Sequence, residues 1–113
     1  MRVPEKEDEI FARVQSSQLS PDDMETFVSM IRDQVIPRAR AIRGFTGGYW
    51  LADRSSGQVL SFTLFENLEA LEASAAPAAQ LRKEASRAAG LPEPSIQEFE
   101  VVASVDVADL RAE

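Results

Sequence analysis

Apolar and polar positions alternate most clearly between Phe45 and Glu66, FTGGYWLADRSSGQVLSFTLFE. Two runs of strand periodicity flank the polar Ser55-Ser56-Gly57, and this pattern predicts a β-hairpin. With Arg54 to Gly57 at the turn, Leu51 faces Leu60, Tyr49 faces Phe62 and Gly47 faces Leu64. A loop spanning the residues between Asp53 and Gln58 gives the same register. That face of the hairpin is apolar almost throughout. The other face sets Thr46, Gly48, Trp50 and Ala52 against Val59, Ser61, Thr63 and Phe65, and it is smaller and half polar. Burial of the greasier face beneath helices is the expectation that follows.

The flanking segments supply those helices and two more strands. Residues 9–18 alternate Ile10, Ala12 and Val14 against Phe11, Arg13 and Gln15, which is strand periodicity. Ser20, Pro21, Asp22 and Asp23 form a helix start: a capping hydroxyl, a proline suited to the first turn, and carboxylates at the positive end of the dipole. Met24, Phe27, Val28, Ile31 and Val35 then make one apolar stripe. Pro37 is expected to bend or break this helix, and Gly44 to end it. After the hairpin, Asn67 is a plausible cap for a short helix over about residues 67–75, with Leu68 and Leu71 inward. Pro77 separates it from a longer helix over about 77–89 that turns Leu81, Ala85 and Ala88 toward the sheet. Gly90 to Pro94 is a loop, and Ser95 to Val105 alternates as a final strand.

The order is β-α-β-β-α-β. Right-handed crossovers around a central hairpin give an α+β, ferredoxin-like fold: a four-stranded antiparallel sheet in order 4-1-3-2 with both helices on one face. The mixed face, carrying Trp50 and Phe65 with Phe11 and Val102, is then left without cover. A second copy of the chain is the simplest way to close it, so a homodimer is expected.

Length and charge narrow the functions. The 113 residues suit a single domain over 1–113, with a core over about 9–105 and flexible termini. A formal net charge of −7 argues against nucleic acid and anionic membranes as partners. With no membrane span and no signal-like N-terminus, a cytoplasmic location is the default expectation. There is no histidine and no cysteine. Thiol chemistry, His- or Cys-based triads, zinc held by those residues and haem with such an axial ligand are therefore excluded. The expected inventory is no metal and no cofactor.

Several segments together resemble a known group. They are Ala12-Arg13-Val14, the helix running into Pro37 and its arginines, Arg43-Gly44-Phe45-Thr46-Gly47-Gly48-Tyr49-Trp50, Asp53-Arg54-Ser55-Ser56-Gly57, and Leu64-Phe65-Glu66-Asn67. Over roughly residues 9–105 the chain resembles the dimeric α/β-barrel superfamily, in particular the antibiotic-biosynthesis-monooxygenase-like proteins. The resemblance implies a dimeric α/β barrel and, among known activities, cofactor-independent oxygenation of an aromatic or polyketide-like small molecule. Haem-degrading relatives rely on a histidine ligand that this chain lacks. The oxygenases use an asparagine, a tryptophan and a tyrosine near a substrate phenol, and Asn67, Trp50 and Tyr49 supply those residue types. As neighbours on one strand, Tyr49 and Trp50 point to opposite faces.

The alanine-rich second helix either packs closely on the sheet or leaves space above it. The expected outcome is an apolar cavity between that helix and the hairpin, opening near Pro77. Phe62, Leu64, Leu81 and Ala85 would bind the ligand, and the Tyr49 hydroxyl would lie inside. Three readings stay open: a monooxygenase-like enzyme, a non-catalytic dimer that binds a small apolar or aromatic molecule, and a structural dimer. For single residues the structural reading is the favoured one: Trp50 anchors an interface, Asn67 caps a helix, Arg13 sits in an ion pair or interface, and Glu98 with Glu100 keeps a sheet edge charged.

Overall fold

The computed structural model describes residues 9–105; the expected frayed start at residues 1–8 and the tail from 106 onward lie outside these. Strand β1 (Phe11–Gln18) leads through a 3-10 turn (Pro21–Asp23) into α1 (Met24–Met30), a π-helical turn (Ile31–Val35) and α2 (Ile36–Ala39). The hairpin β2 (Phe45–Ala52) and β3 (Gln58–Phe65) follows, then α3 (Leu68–Ala73), α4 (Ala75–Ala89) and β4 (Ser95–Glu100). Every pairing is antiparallel and the sheet runs β2-β3-β1-β4, the expected order read from its other edge. No described helix is long and apolar enough to cross a membrane.

The hairpin has the expected register: Leu51 opposes Leu60, Tyr49 opposes Phe62 and Gly47 opposes Leu64. Its loop closes through Asp53 N to Gln58 O and Gly57 N to Asp53 O, both 2.8 Å. The Asp53 carboxylate accepts from Ser55 and Ser56, and these hydrogen bonds hold its pKa below the ordinary carboxylate value. Gly57 is obligatory here. Its φ is +83°, and an added Cβ would stand 2.0 Å from the Leu19 carbonyl oxygen, whose residue donates its own N–H to Gly57 O.

The faces of the sheet are the reverse of the expectation. Along β3, Val59, Ser61, Thr63 and Phe65 are buried, while Leu60, Phe62 and Leu64 are only half-buried. Tyr49 is 68% exposed and Leu51 43%. The helices therefore cover the mixed face, with Trp50 packed on the core and Phe65 1% exposed, and the greasy face is left open. The side a crossover takes is set by handedness and strand twist, which apolar count does not control. The mixed face can be buried because its polar groups are satisfied there. Thr63 Oγ1 donates to Arg13 O at 3.4 Å, and the Arg13 guanidinium has partners of its own. A bulge between Phe45 and Gly47 also rotates Phe45 onto this face, where it meets Phe65 edge-on with centroids 6.0 Å apart; simple alternation had placed Thr46 there.

Pro37 neither breaks the first helical region nor stands in an ordinary turn. Proline cannot donate, and its ring clashes with the carbonyl four residues back. The π-helical turn widens the helix just before it, and Ile36 N donates to Ile31 O, five residues back. The extra residue rotates the inward stripe, so Met30 and Ile31 are both buried and Ala39 follows them in. Ser20 stands at the cap position but caps through its carbonyl, which accepts from Asp23 N at 2.9 Å, with no side-chain bond.

Asn67 is a true cap: its Oδ1 accepts from Ala70 N at 2.8 Å. Of the two leucines expected inward on α3, Leu71 is buried and Leu68 is exposed. Pro77 falls in the first turn of α4, where no intrahelical donor is missed, so α4 begins two residues earlier than expected. Its inward stripe is Ala78, Leu81, Ala85 and Ser86; Ala88 faces out. β4 ends at Glu100, opposite Phe11 where its partner strand begins; it does not reach Val105. The core joins Leu19, Met24, Met30, Ile31, Val59, Ala85 and Leu91.

Candidate functional site

A cavity of about 90 Å³ lies between the helices and the covered face of the sheet. Strand alternation delivers its floor: Arg13 and Gln15 from β1, Ser61, Thr63 and Phe65 from β3, and Trp50 from β2. Phe27, Met30, Ile31 and Val35 form one wall, so the π-helical turn borders the cavity. Leu81, Arg82 and Ala85 of α4 form another, and Leu91 and Pro92 close one end. Apolar walls over a polar floor are the composition of a site that orients a small molecule.

Trp50 is held flat by an absence. Gly48 lies two residues before it on the same face, and a Cβ there would stand 3.3 Å from the indole and 2.7 Å from the Phe62 carbonyl oxygen. With hydrogen in that place the ring lies back along the strand over Gly48 and packs on the core.

Arg13 is the most enclosed charged side chain described, 2% exposed. Its Nε and Nη2 donate to Glu98 Oε2 at 3.2 and 2.9 Å, Nη1 donates to Ser74 Oγ at 3.0 Å, and Nη2 also donates to Leu71 O at 3.2 Å. Its guanidinium carbon sits 5.3 Å from the Phe65 ring centroid. Arg13 thus pins β4, the α3–α4 junction and the floor of the cavity together. The acidic pair at the edge has one member in this role, since Glu98 is Arg13's counter-ion.

Arg82 is different. Its Nη1 is enclosed and has no hydrogen-bond partner among the described residues. Burial lowers its pKa from the ordinary arginine value and the nearby charge of Arg13 lowers it further, while Glu93 and Glu98 act in the opposite sense. A buried donor left unpaired costs roughly 1–3 kcal/mol, so this one calls for an acceptor. Sequence reading missed Arg82; its only signal was a long cationic side chain one position from Leu81 on the inward side of an alanine-rich helix.

The residues singled out from sequence are split by the inversion of the faces. Leu81 and Ala85 line the cavity, and so does Trp50, which the hairpin pattern had set on the uncovered face. Tyr49, Phe62 and Leu64 lie on the open face and take no part in lining it. Asn67 is engaged as the cap of α3. The three residue types suggested by resemblance, Tyr49, Trp50 and Asn67, are not brought together. Among the described residues no cluster of three or more acidic, histidine or cysteine side chains is placed to hold a metal ion.

No family model matches the chain. Among curated proteins it is 28% identical over 94 residues to the uncharacterized protein Rv2557 of Mycobacterium tuberculosis, covering 83% of this chain and 42% of that protein. The chain thus spans about two-fifths of the length of the relative it matches. Among solved structures it is similar to the monooxygenase from the gene ActVA-Orf6 of Streptomyces coelicolor, in complex with nanaomycin D. That match has a TM-score of 0.61 and 17% identity, covering 90% of this chain and 93% of that one. It is also similar to SnoaB, a cofactor-independent oxygenase from Streptomyces nogalater, with a TM-score of 0.52 and 16% identity over 88% and 97% of the two chains. Identities this low establish a shared fold. The resemblance read from the sequence holds at that level: this is the ferredoxin-like fold of the antibiotic-biosynthesis-monooxygenase-like proteins.

Proposed function

We propose that the chain binds a small, mainly apolar aromatic molecule, whose acidic oxygen enters the cavity over Trp50, and oxygenates it without a cofactor. The observation that carries this is the unpaired Nη1 of Arg82 beside Leu81 and Ala85 in a mainly apolar wall. A phenolate or enolate oxygen would complete it, and low polarity around the pair would strengthen the contact. An enolate held there is electron-rich at carbon. Dioxygen adds to that carbon to give a hydroperoxide, and loss of water leaves a carbonyl, with one oxygen atom in the product and one in water. The substrate supplies the electrons, and the protein supplies desolvation, orientation and charge. The activities named for the two Streptomyces proteins of the same fold support this choice of chemistry.

The test is oxygen uptake with enolisable hydroxyaryl ketones of one and two rings, followed with labelled dioxygen. Label split between product and water, lost in Arg82→Gln and kept in Tyr49→Phe, supports the reading. Binding without uptake supports a second one, a non-catalytic small-molecule binder. The observation favouring that alternative is the lining itself, which holds no tyrosine or carboxylate to move a proton.

The open face asks for a partner. Tyr49, Leu51 and Phe99 are exposed beside Leu60, Phe62 and Leu64, and a second copy placed face to face would bury all six. The proposed homodimer therefore forms through the face opposite to the one the hairpin pattern suggested. Sedimentation at micromolar concentration tests it, and a monomer there would remove it.

A further inference from the structure

The cavity is too small for an ordinary metabolite. Its volume of about 90 Å³ falls below the roughly 150 Å³ that encloses a benzene ring, and well below the roughly 300 Å³ at which ligand pockets begin. Beside it lies a second space of about 370 Å³, open to solvent, between the end of α2 and the α3–α4 junction. Ile42 and Leu81 line both spaces, so the two adjoin at these side chains. Taken together, cavity and groove reach the ordinary size of a ligand site.

The groove's outer rim is cationic in a chain of net charge −7: Arg38 and Arg43 border it. Arg38 is already engaged, donating to Glu84 at 2.7 Å across the gap between α2 and α4. Arg43 has no hydrogen bond or ion pair to its side chain among the described residues. Its position is not explained by the helix dipole, which acts within the last turn, because α2 ends at Ala39. Ala73 and Pro77 keep the opposite side of the groove low and apolar.

We infer that the ligand is an elongated molecule that enters between Ile42 and Leu81, places the oxygen-bearing edge of its aromatic end in the inner cavity with the rest of the ring in the neck, and leaves an anionic group, a carboxylate, against Arg43. This rests on the inner cavity being the ligand site proposed above, and adds to it the outer half of the site and the charge at the far end of the substrate. An oxygen inside at Arg82 and a carboxylate outside at Arg43 define the substrate class: hydroxyaryl carboxylic acids whose two ends are separated by an apolar spacer.

The experiment uses phenol-tipped carboxylic acids with methylene linkers of increasing length, titrated on the full chain. Trp50, the only tryptophan, lines the inner cavity and reports by its fluorescence whether the aromatic end has arrived. Affinity is expected to climb with linker length until the carboxylate reaches Arg43. At the best length Arg43→Gln should weaken binding about tenfold, the effect of one lost charged contact, and leave the shortest acid unchanged. Ile42→Phe should remove the advantage of the long acids by closing the neck, with Trp50 still the single reporter. A Trp50 response that ignores linker length and Arg43→Gln would overturn this inference and leave the inner site standing. No response from Trp50 to any member of the series would overturn both.

Discussion

The two faces of the sheet divide its tasks in a way their compositions do not announce. The covered face is the more polar one, yet it holds the buried Arg13, the half-buried Trp50 and the cavity. The open face is the more apolar one, yet it carries Tyr49 and Leu51 in solvent. Polar groups can be buried when each finds a partner, as Arg13 does with Glu98, Ser74 and Leu71 O. Apolar groups left outside need a second surface. One face therefore suits orientation of a ligand, and the other suits contact with another copy.

Removing Arg13 should break the comparison most severely. Arg13→Met removes four charged hydrogen bonds, to Glu98, Ser74 Oγ and Leu71 O, although Ser74 Oγ keeps its bond to Leu71 O, and it should cost about 3 kcal/mol of stability in denaturant unfolding. Arg82→Met, by contrast, removes a donor with no partner and should leave stability within about 1 kcal/mol or raise it, while abolishing binding. A loss from Arg82→Met as large as that from Arg13→Met would show that Arg82 is structural.

Next comes Gly48→Ala, which tests how the indole is held. The new methyl meets the Phe62 carbonyl and the Trp50 ring, so about 1–3 kcal/mol should be lost. The Trp50 emission maximum should shift as the ring lifts. On the other face, Phe62→Glu should leave the unfolding free energy of the isolated chain within about 1 kcal/mol, since the side chain is only half-buried. Its effect belongs in the sedimentation profile, where the dimer should give way to monomer.

Legibility in the sequence followed the same division. Alternation and turn chemistry are local, so the hairpin register, the Asn67 cap and the strand order could be read from them. Which face the helices take depends on crossover handedness and on a bulge at Thr46, and neither leaves a mark in the hydrophobic pattern of the hairpin alone. That one inversion moved Tyr49, Phe62 and Leu64 away from the cavity and brought Trp50 into it beside Leu81 and Ala85. The split into two helices that Pro77 signals is present, but it falls at Ser74, because a proline is accommodated within the first turn of α4. Arg82 was passed over because a buried unpaired cation is a property of packing.

The smallest expected effect concerns acid. Gln80 and then Arg38 hold the Glu84 carboxylate below its ordinary pKa of 4.5. Because the folded value is depressed, the contribution is present above that ordinary value and is lost as pH falls through the lower, folded one. Glu84→Gln should therefore lower stability slightly at neutrality and flatten the profile below pH 4.5, so that the variant and the parent chain converge in acid.

The central claim is that ligand binds on the covered, more polar face. It is tested most directly by one titration of a phenolic acid, read by Trp50 fluorescence, in Ala85→Leu beside Tyr49→Phe. Ala85 borders the cavity, and a leucine there should fill it, cost no more than about 1 kcal/mol of stability, and abolish the Trp50 response. Tyr49→Phe should bind as the parent chain does. Retained binding in Ala85→Leu together with loss in Tyr49→Phe would contradict the account and move the site to the open face.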